Sequence, residues 1–172
     1  MGFFKKLFGK KDDTDELLKM ILGAAQRPTT ANYQFCCATL KDVFYGADFS
    51  AEDVKSEEKI KGLIKKALSI CYKTPNIHIP ENYYDLPLHY LSNEDKTIQG
   101  YVLKLTDVKY ECDCNYVGLI VANGEKKYFT NEYYASDKTF GFCTFLSDGG
   151  RRAYNNYPRN FEEFKQAIFQ YT

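Results

Sequence analysis

The sequence predicts an α+β protein with about three N-terminal helices, then a four- to five-stranded antiparallel meander, then a C-terminal helix packed on that sheet. Three observations carry this reading. Apolar residues recur at helical spacing through the first half of the chain. From Thr97 to Tyr157 eight of the fifteen Tyr and four of the thirteen Phe are gathered, between turn signals at Asn123-Gly124 and Asp148-Gly149-Gly150. Pro158-Arg159-Asn160 then opens an amphipathic segment that runs to the end. The whole, 1–172, reads as one domain: a basic-apolar tail over 1–11, a helical part over 12–74, a Pro-containing connector over 75–97, and the sheet with its closing helix over 98–172.

The elements follow in order. If residues 3–8 are helical, Phe3, Phe4, Leu7 and Phe8 share one face, with Lys5 and Lys6 opposite. Asp12, Asp13 and Thr14 offer N-cap chemistry for a helix over roughly 14–25, whose Leu17, Leu18, Ile21, Leu22 and Ala25 form a stripe that Arg27-Pro28 ends. A second helix is expected from about Ala31 to Tyr45, on the period of Tyr33, Cys36, Cys37, Leu40, Val43 and Phe44, with Gly46 as its C′ residue. The rival is a strand through Tyr33, Phe35 and Cys37, but that alternation stops while the helical period continues past Leu40.

A third helix is expected to start from the capping-box-like Ser50-Ala-Glu-Asp53. It would carry Val54, Ile60, Leu63, Ile64, Ala67, Leu68 and Cys71 inward, with Lys55, Glu58, Lys61, Lys65 and Lys66 outward, until Thr74-Pro75 stops it. The connector contains a short strand at Leu88–Leu91. Strands are then expected over Ile98–Tyr110, with a bulge near Thr106-Asp107, and over Tyr116–Ala122, apolar enough to be covered on both faces. Asn123-Gly124 is the residue pair a type I′ hairpin requires. Lys126–Tyr134, Lys138–Leu146 and Arg151–Asn156 complete the sheet, and the helix over about 160–170 turns Phe161, Phe164, Ile168 and Phe169 to it.

Composition bounds the function. Net charge is zero, with thirteen basic and ten acidic residues over 1–80 against ten and thirteen over 81–172. A nucleic-acid partner held through phosphates needs a surplus of Lys and Arg that is missing here. Of the six cysteines, Cys36 and Cys37 are adjacent, Cys71 falls on an apolar helix stripe, and Cys143 alternates within a strand. Such a set suits reduced, buried thiols better than a disulfide framework, and with no secretory leader read at the N-terminus the expected compartment is the cytoplasm. No stretch approaches the roughly 20 apolar residues of a membrane span. The segment Met1–Lys11 could touch a membrane surface weakly, through Phe3, Phe4, Leu7 and Phe8.

Chemistry-bearing patterns are few. Cys112-Asp113-Cys114 would place two sulfurs on one face of a strand, but zinc needs two further ligands and the chain has only His78 and His89. No metal or cofactor is therefore assigned. No nucleophile elbow, HExxH helix, P-loop or dinucleotide fingerprint is present. The reading that remains is a non-catalytic interaction module binding another protein or peptide through an aromatic sheet face and its hairpins. Its candidate binding residues are Tyr133, Tyr134, Arg151, Arg152 and Tyr154, since Tyr and Arg anchor interfaces. The alternative is a small enzyme whose site is assembled from dispersed Tyr, Glu, Asp and His residues.

Overall fold

The computed structural model describes residues 31–172. The helices expected over 3–8 and 14–25, and the membrane-contacting Phe3, Phe4, Leu7 and Phe8, lie outside the described residues. From there the chain is mixed helix and sheet, with an antiparallel sheet of six strands and a C-terminal helix. A π-helical segment, Tyr33–Leu40, runs directly into α1, Lys41–Gly46. A 3-10 turn at Asp53–Lys55 precedes α2, Glu57–Tyr72, and a second at Glu81–Asp85 precedes the sheet. The strands are β1 Leu88–Ser92, β2 Ile98–Lys104, β3 Cys114–Ala122, β4 Glu125–Tyr134, β5 Thr139–Phe145 and β6 Arg151–Tyr154, followed by α3, Phe161–Tyr171. They lie in the sheet in sequence order, each antiparallel to the next.

The sheet is covered on both faces. One face carries Tyr101, Leu103, Val117, Leu119, Val121, Tyr128, Cys143 and Phe145 against the π-helical segment, α1 and α2. The other carries Leu91, Val102, Tyr116, Ile120, Phe129 and Phe142 against Phe164, Ala167 and Ile168 of α3. This explains why β3 is buried along nearly its whole length: a strand with helices on both sides has no wet face to alternate toward. The aromatic wealth of the meander is consumed largely here, in pairs such as Phe129–Phe142 and Tyr116–Phe164.

Several expectations needed correction. The sheet has six strands because 88–92 joins it as an edge strand, paired Tyr90 to Tyr101. The strand expected to reach Tyr110 ends at Lys104. The residues after it form a loop pinned at Thr106, whose carbonyl accepts from Asn32 Nδ2 at 2.6 Å and from the Tyr83 hydroxyl at 3.0 Å. The bulge lies not at Thr106-Asp107 but between Cys114 and Val117, where the Tyr116 N–H donates to the Asn131 side chain at 2.7 Å. Ser50 and Asp53 do cap one another, but only around the 3-10 turn, and α2 has its own N-cap at Ser56.

Gly46 is not a left-handed C′ residue either: it is the last residue of α1, and Ala47 turns extended. The open carbonyls at that helix end are taken instead by Lys126 of β4, whose Nζ donates to Phe44 and Tyr45 at 3.0 and 3.2 Å and also to Ala47. The β3–β4 hairpin does have positive φ at both Asn123 and Gly124, as a type I′ turn demands. Among the described residues no helix is long and apolar enough to cross a membrane.

Candidate functional site

The five candidate binding residues do not share a face. Register places Tyr133 opposite Phe140, Tyr154 opposite Phe142 and Arg152 opposite Thr144, all on the side that α3 covers. Tyr134 and Arg151 belong to the other side, with Cys143 and Phe145. The period of two forces this split, because neighbouring residues on a strand point to opposite faces. What the structure gathers is therefore two half-sites flanking one short strand, β6, which forms an edge of the sheet.

On the α3 side, Tyr154 lies against Tyr171, with ring centroids 4.2 Å apart, and its hydroxyl accepts from Thr144. Tyr133 and Phe140 pair at 5.3 Å and remain half-buried. Arg152 is exposed and makes no ion pair among the described residues. This half is an aromatic shelf with one uncommitted cation.

The opposite half is a built polar cluster. Arg151 Nη2 lies 2.7 Å from Glu132 Oε2 and donates to the Tyr134 hydroxyl at 2.7 Å. The Cys143 thiol faces the same carboxylate oxygen at 3.7 Å. Gly141 makes room for this arrangement: a Cβ there would lie 2.3 Å from the Tyr134 ring. The Glu132 side chain is 2 % exposed, so burial pushes its carboxyl above the ordinary range and Arg151 only partly offsets this. Burial likewise pushes the Tyr134 hydroxyl up to about 12 and raises the Cys143 thiol.

Deeper on the same side lie the thiols of the helical layer. Cys37 Sγ is 3.3 Å from Cys114 Sγ, and Cys114 pairs across the strands with Glu132. Cys112 does not join this pair as the strand period would have it. Its φ of 67° takes it out of the strand, and its carbonyl, at 3.9 and 3.8 Å, is what faces the two sulfurs. The mutual hydrogen bond and burial hold Cys37 well above the ordinary thiol range, and contact with Cys36 does the same for Cys114. Raised in this way, these thiols react as nucleophiles only through a small deprotonated fraction, which grows with pH.

Among the described residues no group of three or more His, Cys, Asp and Glu side chains is disposed to hold a metal ion. His89 is exposed and its ring lies tilted against Phe161 at 5.0 Å, and His78 is exposed in the connector. A groove of about 430 Å³ between α2 and the Glu81–Asp85 turn is lined in part by Glu57, Lys61, Lys65, Tyr84 and Asp85, with Glu57 engaged by Lys61 at 2.6 Å.

Sequence reasoning missed Glu132. Its signal was present: it shares parity with Tyr128 and Thr130 on the buried stretch of a strand, and an acid in such a position needs a cation across the sheet. No protein-family model, curated protein sequence or solved structure matches the chain.

Proposed function

We propose that the protein is a non-catalytic cytoplasmic interaction module that takes an extended acidic segment of another protein as an added strand along β6. The observation that carries this is the pairing of an edge strand with arginines directed to both faces. A strand added to β6 would alternate its own side chains across the sheet, so acidic residues at successive positions reach Arg152 on one side and Arg151 on the other. Backbone hydrogen bonds supply affinity without sequence preference, the charges select the partner, and Tyr133, Tyr154 and Tyr134 provide rigid apolar contact beside them. The same two arginines oppose pairing of β6 with a second copy of itself. The cytoplasmic reading is supported by six free cysteines, five of them buried.

The test is titration of the isotopically labelled full chain with a blocked octapeptide of repeating Glu-Glu-Val-Val, which offers a carboxylate to each face of the added strand. Amide shifts are expected at residues 151–156 and in β5, with Arg152→Glu weakening binding by about tenfold, the loss of one exposed charge contact and its replacement by repulsion. The matching peptide with Lys in place of Glu should bind no better than background. Shifts confined to other parts of the surface, or equal binding by Arg152→Glu, would remove β6 from the reading.

A further inference from the structure

We propose that Cys37 and Cys114 are a paired-thiol modification site that an electrophilic oxidant of the peroxide class converts to a disulfide joining the helical layer to the sheet. The two sulfurs are already 3.3 Å apart, although the residues are 77 positions apart in sequence. A disulfide has its sulfurs at about 2.05 Å, so closure asks for a movement of little more than one ångström. The helix that carries Cys37 is suited to supply it. Residues 33–40 are π-helical, a wide-turned form that is rarely sustained over eight residues and is common at functional sites. Tightening one such turn toward α geometry shifts side chains along the helix.

The surroundings define how the reaction runs. Tyr33, Cys36 and Cys37 come from the helix, Cys112 and Asp113 from the loop before β3, Tyr128 and Glu132 from β4, Arg151 from β6, and Tyr83 from the connector. Arg151 is the cation facing Cys37, and Glu132 faces both members of the pair. Cys114 is fully buried while residue Cys37 keeps 8 % exposure, so the oxidant's approach is assigned to the Cys37 side. Its thiolate attacks a peroxide oxygen, the O–O bond breaks, and the released hydroxide takes up a proton, leaving the sulfenic acid. The Cys114 thiolate then attacks that sulfur and expels a second hydroxide, which is protonated to water. Two thiols and one hydrogen peroxide become one disulfide and two waters.

Hydrogen peroxide on the folded full chain tests this, with circular dichroism confirming that the fold is retained and fragmentation mass spectrometry resolving Cys36 from Cys37. The expected product has lost about 2 Da, has four titratable thiols in place of six after unfolding, and contains a Cys37–Cys114 cross-linked peptide. Because Cys37 must deprotonate before it attacks the peroxide, the rate of this first step should rise about tenfold per pH unit between pH 7 and 9. Cys36→Ala should retain the link and Cys37→Ser should abolish it. If Cys37→Ser does not fold, peptide mapping of the unaltered chain still decides. A link through Cys36 or Cys112, or six thiols surviving treatment, overturns the assignment.

Discussion

Glu132 and Gly100 show how much can rest on one position. Burial holds the Glu132 proton to a higher pH in the folded protein than in the unfolded chain. Its contribution is therefore stabilising below the unfolded carboxylate value, near 4.3, and is lost as pH rises through the raised folded value. Glu132→Gln keeps the shape and removes the titration. The stability difference between the natural chain and this variant, from urea midpoints, should fall as pH rises above the unfolded carboxylate value and level off once the raised folded value is passed. A difference that grows instead would mean that pairing with Arg151 outweighs burial. At Gly100 the constraint is steric: a Cβ there would lie 2.1 Å from the Leu119 carbonyl oxygen, across the β2–β3 pairing. Backbone cannot yield as a side-chain tip can, so Gly100→Ala should cost more than about 3 kcal/mol in a denaturation experiment or leave the protein insoluble.

At the scale of elements, period and capping chemistry proved sound guides where an element's neighbours matched its pattern. Helix α2 carries its apolar stripe as spaced, α3 is capped by the Asn160 side chain, and the Asn123-Gly124 turn takes the φ angles its residues allow. Failures came where a distant group replaced a local signal. The C-terminus of α1 is closed by Lys126, some eighty positions away, and no reading of Gly46 and its neighbours contains that information. Lys126 also lies 4.6 Å from the centre of the Phe49 ring. Replacing it by Met leaves three part-buried carbonyls without this donor, so Lys126→Met should lower stability by about 1–3 kcal/mol, read from the thermal midpoint. Helix α2, which Lys126 does not touch, should keep its hydrogen-exchange protection below global unfolding.

For the molecule as a whole, the antiparallel sheet with its terminal helix was legible because each strand's pattern and the turn that follows it are local. The candidate site was half legible: Tyr134 and Arg151 meet through a hydrogen bond, but Glu132 reaches Arg151 only when β4 and β6 flank β5, and the Cys37–Cys114 contact arises only when helix and sheet are brought together. The strands lie in chain order, so the sheet can close by successive short connections, the longest being 105–113. Contacts of low sequence separation form quickly. Residues 33–72 leave the ribosome early, yet their counterparts on β3 and β4 follow much later; Cys36 and Tyr128 are 92 positions apart. During synthesis the helical layer must therefore wait with its apolar stripe and three of its cysteines in water. A nascent chain stalled after α2 should be the species that needs a chaperone.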